Sequence, residues 1–140
     1  MTELNKDVLR LWAEDLETTT DRQGTGYLAE VDTEYIGTAP SVSYCCLGRL
    51  CKLAVENGVI PEPKIQPSAS GGGTVLVYGE GADANDMTLP AAVMKWAGLH
   101  DHDPILDDDG DVAVRASEFN DCYGKTFREI AGLIRDRFGL

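Results

Sequence analysis

Apolar positions recur at helical spacing in three stretches of the chain. Leu4, Val8, Leu11, Trp12 and Leu16 share one face of a helix predicted over residues 3–17, with Lys6, Arg10 and Glu14 on the other side. Leu47, Leu50, Cys51 and Ala54 fall at i, i+3, i+4 and i+7 of a second helix, from Tyr44 to about Asn57. Ser43 is its expected N-cap and Gly58 its stop. Phe127, Ile130, Ala131 and Ile134 line a third, which opens on a Thr126–Glu129 capping box and carries Arg135 and Arg137 near its negative end. Two shorter helices are predicted. One is capped by Thr88, has Pro90 in its first turn and closes at Gly98; the other runs from Ser117 to about Cys122.

Between the helices the pattern changes. Residues 27–36 alternate loosely and residues 74–78, TVLVY, read as the clearest strand. Ile105–Leu106 and Val112–Val114 are expected to pair as a hairpin across the polar DDDGD turn. The run TTTDRQGTGY, residues 18–27, reads as a loop or hairpin turn. IPEPKIQPSASGGG, residues 60–73, with its prolines, serines and three glycines, reads as an exposed, flexible loop without a regular element. The sum is an α+β fold: four to five helices packed on a small, mostly antiparallel sheet, in a single globular domain over residues 1–140. No β-α-β-α series supports a Rossmann arrangement.

Length and charge narrow the function. A chain of 140 residues suits one domain and can bury a real core. No apolar run approaches the roughly 20 residues of a membrane span. The acidic, amphipathic N-terminal segment does not fit a secretory signal, so a cytoplasmic setting with reduced thiols is expected. The net charge is −12, and residues 80–111 hold nine acids against Lys95 alone. Direct nucleic-acid binding is therefore not expected, since it needs a basic footprint. The field favours cations or basic protein surfaces.

Several familiar chemistries fail on spacing. Cys45, Cys46, Cys51 and Cys122 form no C-x-x-C pair and are read as buried structural thiols. Aligning Gly110 with the glycine of a calcium loop puts Ile105 and Ala116 at its two essential ends, so a solvated acidic turn is favoured over a weak cation site. His100 and His102 flank Asp101 with no third ligand nearby, which reads as a surface loop. Gly24 and Gly26 do not complete G-x-G-x-x-G, because Ala29 stands at the last position, and no Gly-Lys-Ser or Gly-Lys-Thr follows Gly71–Gly73. No G-x-S-x-G elbow exists, and Ser70 lies in the glycine-rich loop. No cofactor or catalytic residue is assigned. Two polar turns remain. Arg22, Gln23, Gly24 and Gly26 could present backbone N–H groups to an anion, and Asn120, Asp121, Lys125 and Thr126 crowd a helix entrance; local turn formation and capping are the alternatives.

These turns belong to a longer pattern. Q-G-x-G-x-L (Gln23–Leu28), Y-C-C-L-G-x-L-C (Tyr44–Cys51), L-P with W-x-G-L (Leu89–Pro90, Trp96–Leu99) and N-D-x-x-G-x-T-F-x-E-I-A (Asn120–Ala131) occur in order. The chain resembles a widespread family of small phage and prophage proteins, over nearly its whole length. It departs from that pattern by an extra residue between Asp121 and Gly124 and by a longer acidic insertion at 101–111. The resemblance implies a protein that acts on the host by binding. The leading expectation is a noncatalytic protein that holds a small anionic, nucleotide-type ligand such as a host-defence signal. Gln23 and Asn120 would read its polar edges, the glycine backbone and Thr126 would hold phosphate, and Arg22 or Lys125 would supply charge. The alternative is an acidic interaction module, residues 80–111, that blocks a basic surface of a host protein. An enzyme using Cys45 or Cys46 comes third, since no histidine is placed to activate either. Homo-oligomerisation stays open.

Overall fold

In the computed structural model, residues 3–32, 41–68, 73–109 and 112–140 are described. Helix α1 (Lys6–Thr18) buries Val8, Leu9, Trp12, Ala13 and Leu16. It starts where the Asn5 side chain accepts from the Val8 N–H. Asn5 also bonds to helix α3 (Ala91–Ala97), through its amide to the Trp96 carbonyl and its N–H to the Ala97 carbonyl. Helix α5 (Phe127–Phe138) packs along α1, and Arg135 clamps Glu17 across the pair with two hydrogen bonds. The Thr126–Glu129 capping box forms as predicted.

Helix α2 (Cys46–Glu56) lies at the centre, with Cys46 to Cys51 all buried. Its predecessor differs from the expectation. Ser43 does not cap it; Ser41–Tyr44 form a strand, β3, and the Cys45 thiol accepts from the Gly48 N–H at the N-cap instead. β3 is held from both sides, by the two-residue strand β1 (Arg22–Gln23) in parallel and by β2 (Ala29–Asp32) antiparallel. A four-residue segment stabilised by distant partners leaves little local pattern to read. Residues 33–36 of the predicted strand lie outside the described residues.

Strand β5 (Thr74–Val77) pairs with β2 and, on its other side, with β4 (Lys64–Pro67). The five-stranded sheet runs β1-β3-β2-β5-β4 and is antiparallel except at β1–β3. β4 corrects the reading of residues 60–73 as irregular, since its middle is an ordered edge strand. Residues 69–72 of that stretch lie outside the described residues. The Ser68 N–H donates to the Gly73 carbonyl. Antiparallel pairs alternate, so Gln66 and Lys64 turn their backbone groups to β5, while Ile65 and Pro67 turn theirs outward. Pro67 has no N–H to offer there. A free sheet edge is where proline fits, and proline there protects the edge from further pairing.

The remaining elements form an end cap. Helix α3 begins at Pro90, and its first N–H groups, of Ala91 and Ala92, go to the Asp83 carboxylate rather than to Thr88. A single 3-10 turn, Gly81–Asp83, delivers that aspartate. Gly98 ends the helix in the left-handed conformation. Strands β6 (Ile105–Asp109) and β7 (Val112–Arg115) pair as the expected hairpin, whose turn at Gly110 and Asp111 lies outside the described residues. Helix α4 (Ala116–Asp121) follows directly. Ser117 sits inside it, and both its N–H and its hydroxyl donate to Asp103. The fold is α+β, a single small domain that has, among the described residues, five helices, a mixed five-stranded sheet and a two-stranded hairpin.

Candidate functional site

The two polar turns singled out in the sequence meet. The Gln23 side-chain N–H groups donate to Asn120 Oδ1 and to the Lys125 carbonyl, each at 2.8 Å. Gln23 Oε1 accepts from the Phe127 N–H at 3.1 Å. Asn120 is 2% exposed, and its amide is fully occupied. Its Oδ1 also accepts from the Cys46 N–H (3.2 Å), and its Nδ2 donates to the Gly24 carbonyl and to Asp121 Oδ1 (2.8 Å each). This amide pair joins β1, the starts of α2 and α5, and the end of α4. It satisfies N–H groups that α2 and α5 leave open at their starts.

The other predicted residues surround this clasp. The Gly24 N–H donates to the Tyr44 carbonyl, and an added Cβ there would lie 2.7 Å from Ser43 Oγ. Gly26 has φ +86°, a conformation that favours glycine, in open space. Arg22 is exposed, with its guanidinium 3.5 Å from Ser41 Oγ. Asp121 is exposed, and the Lys125 ammonium lies 3.8 Å from Glu129. At the start of α5 the N–H of Thr126 goes to Glu129, that of Phe127 to Gln23 and that of Glu129 to Thr126. Of the donors expected to hold a phosphate, the Gly24 N–H and the Thr126 hydroxyl are thus engaged within the protein, by the Tyr44 carbonyl and Glu129.

A second polar cluster escaped the sequence reading. Arg49 on α2 is 4% exposed; its guanidinium makes paired bonds to Asp15 (2.7 and 2.8 Å) and reaches Asp21. It also lies over the Tyr44 ring, 4.8 Å from the centroid. Burial pulls its pKa down, but the bonds to Asp15 and Asp21 outweigh this and hold it above the ordinary arginine value. The available signal was a lone arginine inside the apolar run CLGRLCKLA. Gly48, beside it, sits so near Leu28, the residue before β2, that an added Cβ would lie 1.7 Å from the Leu28 carbonyl oxygen. That close approach gives the Y-C-C-L-G-x-L-C block a packing reason.

Cys45, Cys46 and Cys51 are buried, whereas Cys122 is exposed and corrects its reading as a buried thiol. Burial pushes the Cys45 thiol up to about 12, and Cys46 and Cys51 also well above the ordinary thiol value. Such thiols stay protonated at neutral pH and make poor nucleophiles. His102 Nδ1 lies 2.6 Å from the Leu89 carbonyl, while Asp101 pairs with Arg115 at 2.7 Å. Bonding to Arg115 holds the Asp101 carboxyl below its usual range. Among the described residues, no group of three or more His, Cys, Asp or Glu side chains is arranged to hold a metal ion. No helix among them is long and apolar enough to cross a membrane.

Residues 4–138 match the family described as Domain of unknown function (DUF8296). The chain belongs to that family. No curated protein and no solved structure matches it. The match spans every described element from α1 to α5, so the amide clasp and the Arg49 cluster both lie inside the DUF8296 domain.

Proposed function

We propose that this DUF8296 protein is a noncatalytic binding module that docks a basic surface of a partner protein through its acidic end. The β6–β7 hairpin carries the reading. Asp107 and Asp108 stand on β6 opposite Val114 and Ala113, and neither has an ion-pair partner among the described residues. Val112 on the facing strand is 61% exposed. Unpaired carboxylates on both faces of a hairpin that also exposes an aliphatic side chain suit a basic partner with an apolar contact. The net charge of −12 would steer such a partner in. The resemblance to phage proteins supports a host protein as that partner. The test is a pull-down of basic host proteins at low and high salt with the wild type and with Asp107→Asn combined with Asp108→Asn. Retention at low salt, lost at high salt and in the double variant, is expected. Capture that ignores both salt and the substitutions overturns the reading.

The small anionic ligand keeps one observation in its favour. Gln23 and Asn120, 97 residues apart, are brought together at 2.8 Å, with Arg22 and Lys125 adjoining them in sequence or space. Native mass spectrometry of protein purified from cells tests this second reading. A copurifying small mass, released on denaturation, supports it, and a clean apo mass removes it.

A further inference from the structure

A cleft of about 290 Å³ lies between α2 and the β4–β5 edge, away from the clasp and the hairpin. Val55, Pro63 and Leu76 give it apolar walls, and the side chains of Tyr44 and Tyr78 also line it. Tyr78 is 2% exposed, yet its hydroxyl has no hydrogen-bond partner among the described residues. No fully buried side-chain oxygen among them lacks a partner, so this hydroxyl keeps access to solvent, and Tyr78 is one of the residues that line the cleft. A buried tyrosine ordinarily satisfies its O–H. Here no described residue meets the hydroxyl.

The charges at the mouth select the visitor. Among the described lining residues Lys52 is the one cation, and it is already engaged, 3.6 Å from Glu56 and 3.7 Å from Asp21. Glu62, exposed at the rim, has no ion-pair partner among the described residues. The lining thus has a surplus carboxylate inside a molecule of net charge −12. The volume sits at the lower end of ligand pockets, roughly 300–1,000 Å³, and the surplus carboxylate disfavours a phosphate-bearing ligand. We propose that this cleft binds a small organic amine carrying an aromatic body. The ring would lie among Tyr44, Tyr78, Leu76 and Val55, and the ammonium would donate to Glu62 and to a tyrosine hydroxyl.

Calorimetric titration of the full chain with tryptamine and with indole-3-propionate tests this directly, since the two probes share a ring system and differ in charge. Tryptamine is expected to bind at least tenfold more tightly than the acid. Glu62→Gln and, separately, Tyr78→Phe should each weaken tryptamine at least fivefold, with unchanged circular dichroism and melting temperature. Asp107→Asn with Asp108→Asn should leave it unchanged. Equal or tighter binding of the acid overturns the proposal. So does tryptamine affinity that is indifferent to both cleft variants, or no heat of binding with tryptamine at millimolar concentration.

Discussion

At the scale of single residues, the most informative side chains are those that meet every hydrogen-bonding demand around them. Asn120 is bonded to Gln23, Cys46, Gly24 and Asp121 from one buried amide. Removing it strands several groups at once, and each buried unpaired group costs roughly 1–3 kcal/mol. Asn120→Ala is therefore expected to lower unfolding stability by about 3 kcal/mol. Chemical denaturation without any added ligand checks this, because a purely ligand-contacting role would leave that midpoint in place. Gly48 acts by what it lacks. With 1.7 Å between an added Cβ and the Leu28 carbonyl, Gly48→Ala must push α2 off the backbone that leads into β2. The expected loss is about 3 kcal/mol or more, read as a fall in melting temperature. A variant that melts with the wild type would refute the close approach.

At the scale of elements, β4 shows how a segment rich in breakers becomes regular. IPEPKIQP has proline at 61, 63 and 67, all of one parity with Ile65. On an edge strand that parity faces away from the sheet at Ile65 and Pro67, so the missing N–H disturbs no bond to β5. Local composition correctly excludes a central strand and says nothing of an edge one. The same prolines guard an exposed surface, for Ile65 is 69% exposed. Pro67→Val restores an outward N–H beside it, and concentration-dependent self-association is expected in sedimentation velocity. Helices were more legible. α1, α2 and α5 carry long apolar stripes that local pattern can report, whereas α3 and α4 take their first N–H bonds or flanking contacts from Asp83 and Asp103, far enough away in sequence to mislead the reading of their caps.

For the whole molecule, the burial of three thiols sets the response to alkali. The pKa of Cys45 is raised to about 12, and Cys46 and Cys51 are raised too, while an unfolded thiol ionises near 8.5. Below that value both states hold their protons and stability is unaffected by these groups. Above it the unfolded chain releases protons that the folded protein retains, so stability is expected to fall from about pH 9 towards about pH 12. Urea unfolding midpoints across that range give the measurement. At pH 8 a thiol reagent should label Cys122 quickly and the other three only as fast as the protein opens. Rapid labelling of more than one thiol would contradict the burial and revive a nucleophilic role.

The amino-acid sequence by itself determined the α+β class, the amphipathic helices, the Thr126 capping box, the β6–β7 hairpin and the acidic balance. Each of these depends on neighbours within a few positions or on a simple count, so local periodicity carries it. It also nominated Gln23 and Asn120, although not their use. Tertiary structure alone decided that these two amides bind each other and the helix ends, that Arg49 is held by Asp15 and Asp21, and that two tyrosines open into one cleft. A polar side chain has the same donors and acceptors whether it faces a ligand or its own backbone. Only the folded chain, by bringing residues dozens of positions apart to within 3 Å, determines which of the two it meets.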